Sequence, residues 1–215
     1  MSSLNSLLIE NATKGDLNEI KKLVEKGADI HANKEEALRC SADNGYFDIV
    51  KYLVEKGADI HACDDLALIW SAFSGFLDIV KFLTENGADI HANSEEALRW
   101  SACNGHFDVV KYLLEKGADI HAGSDGALRL SANNGYFDVV KFLVEKGANI
   151  HAGNEEALGW SAHNGHLDIV KYLIEKGAKN PFYKRKIVQC KLSSMQKNDV
   201  IYSIDAFIHE WLWKP

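Results

Sequence analysis

Apolar residues recur along this chain in short bursts with helical spacing. Ala37-Leu38-Arg39-Cys40-Ser41-Ala42 places Leu38, Ser41 and Ala42 at i, i+3 and i+4. Gly45 follows where a helix takes a left-handed terminating residue. In the next burst, from Phe47 to Val54, Phe47, Val50, Leu53 and Val54 share one face, and Gly57 closes it. The pattern predicts helix, tight turn, helix, then the connector Ala58-Asp59-Ile60-His61-Ala62. Neither helix is expected to exceed about ten residues, which is marginal in water, so the pair must bury its apolar face against neighbours.

Those neighbours are copies of the same unit. His31, His61, His91, His121 and His151 recur every 30 residues, as does glycine at 15, 45, 75, 105, 135 and 165 and again at 27, 57, 87, 117, 147 and 177. Six helix pairs are expected, over roughly 4–27, 34–57, 64–87, 94–117, 124–147 and 154–177, so residues 1–180 read as a six-repeat, all-α solenoid. Stability then accrues at the interfaces between successive units. The first unit carries Glu10, Glu19 and Lys22 in columns that are otherwise mostly apolar or aromatic, as an N-terminal cap requires. The pattern stops at Lys179-Asn180-Pro181.

Charge narrows the function classes. The 24 Lys and Arg against 31 Asp and Glu give a net −7, which argues against a general nucleic-acid binder. The N-terminus has neither a basic stretch nor an apolar core of signal-peptide type, and no run reaches the ~18 apolar residues of a membrane span. Cys40, Cys63, Cys103 and Cys190 form no CxxC pair and read as reduced thiols of a cytoplasmic protein.

Two features resemble chemical sites and are read as architecture. The histidine column suggests metal, yet helices stack ~8–10 Å apart and zinc ligands lie ~2 Å from their ion. Adjacent histidines therefore cannot share a metal and are expected to hydrogen-bond the connector backbone. The carboxylate pairs Glu35-Glu36, Asp64-Asp65, Glu95-Glu96 and Glu155-Glu156 are assigned to first helical turns, facing the positive end of the helix dipole, with Asp64, Ser94, Ser124 and Asn154 as N-caps. The columns of Asp48, Lys51 and Glu55 belong to a solvated outer face. No phosphate-binding loop, zinc-protease motif or nucleophile elbow is found, so neither catalytic residues nor a cofactor is expected.

The run Asn104-Gly105-His106-Phe107-Asp108-Val109-Val110-Lys111-Tyr112-Leu113-Leu114-Glu115-Lys116-Gly117-Ala118-Asp119-Ile120 resembles the second half of an ankyrin repeat, and similar runs cover residues 15–178. The wording Ala-Leu-Arg-Trp-Ser-Ala with Asp-Ile-His-Ala is similar to ankyrin proteins of giant amoebal (Mimivirus-like) viruses. The period is 30 where the family usually has 33. The three missing residues fall between Ala32 and Leu38, where the family builds a β-hairpin finger, so an ankyrin-type helix-turn-helix solenoid with shortened or absent fingers is expected. The resemblance implies a non-enzymatic protein-binding scaffold, and the viral likeness implies a host protein in the cytoplasm as its partner.

In such stacks the inner-helix stripe lines a concave groove. Its variable columns here are Arg39, Ile69, Arg99 and Arg129, and four residues later Asp43, Phe73, Cys103, Asn133 and His163. Tyr46, Phe76, His106, Tyr136 and His166 lie beside the stripe at the turn. These are the candidate partner-binding residues, since exposed aromatics and arginine are favoured anchors. Trp70, Trp100 and Trp160 share a column that reads either as inter-repeat core or as groove.

Residues 181–215 do not repeat and carry a net +3, leaving −10 for residues 1–180. Ile201, Ile204, Phe207, Ile208, Trp211 and Leu212 trace an amphipathic helix over about 199–213, assigned as a cap on the last repeat, with partner docking and membrane-surface binding as alternatives. A monomer that binds another protein is the leading reading. A structural or self-associating solenoid and a membrane-recruited regulator are the alternatives.

Overall fold

The computed structural model describes residues 3–179, and the segment assigned as a C-terminal cap lies outside them. Among the described residues there are twelve helices and no strand: α1 (Leu4–Lys14), α2 (Leu17–Glu25), α3 (Ala32–Asp43), α4 (Phe47–Glu55), α5 (Ala62–Ser74), α6 (Leu77–Glu85), α7 (Ala92–Cys103), α8 (Phe107–Glu115), α9 (Ala122–Asn134), α10 (Phe137–Glu145), α11 (Ala152–His163) and α12 (Leu167–Glu175). This is the helical repeat array that the 30-residue period predicts.

The chain divides into two compact units, Met1–Ala122 and Gly123–Pro215. In the first, inner helices α1, α3, α5 and α7 pack in succession, and outer helices α4, α6 and α8 form a second row behind them. Leu38, Leu68 and Leu98 of the inner row and Leu53, Leu83 and Leu113 of the outer row are fully buried between the rows. Ser41, Ser71 and Ser101 are buried as well, each hydroxyl donating to a carbonyl of its own helix at 2.7–3.0 Å. A hydroxyl satisfied within its own turn asks nothing of the next helix, so the small side chain permits close approach at no hydrogen-bond cost. In the second unit α11 packs on α12 and α12 on α10, around a core that includes Leu128, Leu143, Leu158 and Leu173.

The turn between paired helices behaves as the glycine column predicts. Gly75 ends α5 at φ +83°, and the N–H of Phe76 reaches back to the Ser71 carbonyl at 2.9 Å, closing the helix end.

Where ankyrin-type repeats would carry a finger, the opening residues of α3, α5, α7, α9 and α11 make a left-handed turn of three residues, and the right-handed helix begins only after it. Asn33, Lys34 and Glu35 have φ of 52°, 58° and 61°, and the same occurs at 63–65, 93–95, 123–125 and 153–155. Such a turn advances the chain far less per residue than two extended arms, which suits a connector shortened by three. It corrects the capping assignment. Asp64, Ser94, Ser124 and Asn154 sit in the middle of these turns, and the helix starts at His61, His91 and His151 carry no side-chain cap.

A left-handed residue other than glycine costs about 1–2 kcal/mol. Asn, Asp and Gly, the types that tolerate it, fill many of the positions, and arginine ties down others. Arg39 donates through Nε to the Lys34 carbonyl and through Nη2 to that of Asn33, both at 3.0 Å. The turn at Cys63–Asp65 has neither aid at its first residue, since Ile69 stands where Arg39 would be. Cys63→Gly is therefore expected to raise stability by about 0.5–1 kcal/mol, relief of the left-handed strain outweighing the added freedom of the unfolded chain. A urea midpoint that fails to rise would contradict this.

Candidate functional site

The candidate binding residues separate into two groups once their surroundings are known. The arginines are engaged internally, Arg99 least, since its Nε is buried without a hydrogen-bond partner. Besides Arg39, Arg99 Nη2 donates to the Asn93 carbonyl at 3.2 Å, and Arg129 donates to the carbonyls of Ser124 at 2.9 Å and Gly123 at 2.7 Å. Arg39 also lies over the Trp70 ring and Arg129 over Trp160, each 5.6 Å from the centroid, and Arg129 pairs with Glu156. Planar guanidinium groups bridge a carbonyl pair and an aromatic face at once, so these side chains brace the connector.

The turn residues are committed too. The rings of Tyr46, Phe76 and His106 lie against Gly15, Gly45 and Gly75 of the preceding turn, and in the second unit His166 lies against Gly135. His106 Nε2 donates to the Phe73 carbonyl at 2.8 Å and His166 Nε2 to that of Asn133 at 3.0 Å. Tyr136 is 37% exposed, His163 is exposed, and Cys103 and Asn133 are half-buried.

What remains open is concentrated on α5. Leu66, Ile69, Trp70 and Phe73 stand at i, i+3, i+4 and i+7, and together with Asp43 from α3 and Glu96 and Trp100 from α7 they line a cleft of about 360 Å³. Phe73 is 44% exposed and meets Trp100 edge-on with ring centroids 6.1 Å apart. Ile69 is only 2% exposed and forms the floor. The tryptophan column thus serves both purposes weighed for it: Trp70 and Trp100 are half-buried between repeats and wall the cleft. Three of the predicted residues, Asp43, Ile69 and Phe73, come together here, while Leu66, Trp70, Glu96 and Trp100 were not among them. The signal was available in the sequence, because the other repeats put Glu, Gly, Arg, Asp, Asn or His somewhere in these four inner-helix columns and the α5 repeat alone is apolar in all of them.

On the outer face, Tyr52 and Tyr112 are covered by charged side chains. Tyr52 is overlain by Lys21 and Lys56 at 5.7 Å, and Tyr112 by Lys81 and Lys116 at 5.7 and 5.5 Å, its hydroxyl bonded to Thr84 Oγ1 at 2.7 Å. Lysine stems cover those rings and keep their charge in water.

The histidine column is placed differently from expectation. The rings of His31, His61, His91 and His151 bond the carboxylate four residues on, Nδ1 meeting Glu35 at 2.5 Å, Asp65 at 3.1 Å, Glu95 at 2.5 Å and Glu155 at 2.7 Å respectively. The connector backbone is instead the partner of the carboxylates. The N–H of Asp89 donates to Asp65, that of Asp119 to Glu95 and that of Asn149 to Asp125, at 2.9, 3.1 and 2.7 Å. Glu35, Asp65, Glu95, Asp125 and Glu155 are buried and sit within the left-handed turns. Hydrogen bonding to Glu35, then its charge, raises the pKa of His31 above its ordinary 6.5; the hydrogen bond to Glu95 does the same for His91. Among the described residues, no group of three His, Cys, Asp or Glu is placed to hold a metal ion, and no helix is long and apolar enough to cross a membrane.

A family model described as Ankyrin repeats (3 copies) matches residues 4–64, 63–124 and 121–183. No curated protein matches the sequence.

Proposed function

Because this chain belongs to the ankyrin-repeat family, whose repeats generally mediate protein–protein interaction, we propose that it is a non-enzymatic module that grips a partner protein with its concave, inner-helix face. The observation that carries this is the apolar stripe of α5, which leaves Phe73 44% exposed beside a cleft while Tyr52 and Tyr112 of the outer face lie under lysines. A large ring left at a surface costs solvation that a partner would recover, and aromatic side chains are the commonest binding anchors. The reading extends to a monomer working in the cytoplasm, supported by cysteine spacing that suits reduced thiols. The wording of the repeats supports a host protein as the partner.

The test is affinity capture from cell lysate with three baits: wild type, an inner-face variant combining Phe73→Ala and Tyr136→Ala, and an outer-face variant combining Lys81→Ser and Lys111→Ser. Partners retained by the outer-face variant and lost at least about tenfold by the inner-face variant are the expected outcome. Equal retention by both variants, with unchanged helical circular dichroism, would place binding elsewhere. A wild type that elutes as a dimer in light scattering would favour self-association.

A further inference from the structure

The α5 cleft carries information about what it takes. We propose that its ligand is a basic peptide segment of a partner protein, in which one large apolar side chain enters the cleft and a neighbouring Lys or Arg meets the carboxylates at its rim. This rests on the inner-face reading above and narrows it to one subsite and one partner chemistry.

The apolar half of the proposal comes from shape. Leu66, Ile69, Trp70 and Phe73 present one continuous helical stripe, with Trp100 as the opposite wall. A volume of about 360 Å³ is ample for a Trp, Phe or Leu side chain, and such pockets bind through apolar burial with a few polar groups fixing orientation.

The basic half comes from the charges around it. Asp43 and Glu96 both line the cleft, from α3 and α7 respectively. Asp43 uses one carboxylate oxygen to accept from Ser74 Oγ at 2.9 Å, which leaves the other for an incoming cation. Glu96 is held only loosely by Arg99, at 3.7 Å, and both side chains are about one-third exposed or less. Two arginines nearby keep their charge and offset the two carboxylates locally. Arg39 points its donors to the carbonyls of Asn33 and Lys34 and lays its plane on Trp70, and Arg99 donates to Asn93, so the sign of the rim is set by the wider field. That field is negative: residues 3–122 hold 12 Lys or Arg against 21 Asp or Glu, a net −9. A body of that charge draws in basic chains and repels acidic ones, and a desolvated cleft strengthens the final contact.

The experiment selects a phage-displayed random dodecapeptide library on the full-length wild-type protein and sequences the enriched clones. The expected consensus is one Trp, Phe or Leu with Lys or Arg within about four positions. Fluorescence anisotropy with the synthetic consensus peptide should show affinity falling at least about tenfold in Phe73→Ala and in Asp43→Lys, and falling with added salt. Selection on Asp43→Lys should shift the flanking residues toward Asp and Glu. Asp43→Lys changes a half-buried rim position, so it keeps the test valid if Phe73→Ala loses helical circular dichroism. No enrichment, acidic or uncharged flanks, or binding unaffected by both variants would overturn the proposal. Binding abolished by Tyr136→Ala but not by Phe73→Ala would overturn the cleft assignment and leave the inner-face reading standing. Binding sensitive only to Lys81→Ser and Lys111→Ser would end both.

Discussion

Glu95→Ala is expected to lower the unfolding free energy by about 2–3 kcal/mol, the range for leaving buried polar groups without their partner. Glu95 is 4% exposed and its Oε1 accepts two bonds, from His91 Nδ1 within its own connector and from the Asp119 N–H of the next. Alanine removes both bonds, frees the connector and leaves the Asp119 N–H without this partner. Glu95→Gln keeps an acceptor oxygen and removes the charge, so it separates hydrogen bonding from ion pairing. The sign of the charge effect follows from His91. Its pKa in the folded protein lies above 6.5, raised first by the hydrogen bond to Glu95 and then by the charges of Glu95, Asp89 and Asp119. The charged imidazole therefore contributes stability that is complete below about pH 6.5 and is lost as pH rises through the raised folded value. The gap between wild type and Glu95→Gln should be wider at pH 5.5 than at pH 8.5 in urea unfolding. A gap of constant size would show that the charge of Glu95 does not raise the pKa of His91.

Gly75→Ala is expected to cost about 2–3 kcal/mol, through two separable causes. The residue sits at φ +83°, which a side chain strains, and a Cβ there would lie 2.5 Å from His106 Nδ1 and 2.7 Å from its Cε1. The ring cannot swing away freely, because its Nε2 holds the Phe73 carbonyl at 2.8 Å. A double-mutant cycle with His106→Ala resolves the two: the collision disappears in the double variant and the backbone strain stays. A coupling near zero would mean that the ring moves aside without loss. Because Phe73 borders the cleft, the same variant should also weaken peptide binding.

Much of the architecture was legible in the residues themselves. Leu38, Ser41 and Ala42 define an inner helix by spacing, and Gly45 ends it. Five further copies repeat the message, so the helix count, the turns and the buried leucines required nothing beyond periodicity. The shortened connector was legible as a missing three residues, though its form was not. A left-handed turn through Asn93, Ser94 and Glu95 leaves no mark that distinguishes it from a helix start, because the same Ser and Glu are also good capping residues. The arginines looked like free binding groups for a similar reason: a sequence gives their place on the helix surface, and only the turn beside them supplies the carbonyls that claim their N–H groups.

The division between sequence and structure follows the range of the forces involved. Spacing of 3.6 residues and glycine at helix ends act within a few neighbours, so the chain by itself determined that it forms helical hairpins and that they must stack. Contacts across 24 to 33 residues depend on how one repeat settles on the next. Those contacts decided that Glu95 holds the following connector, that His106 rests on Gly75, and that Asp43, Phe73 and Trp100 meet around one cleft.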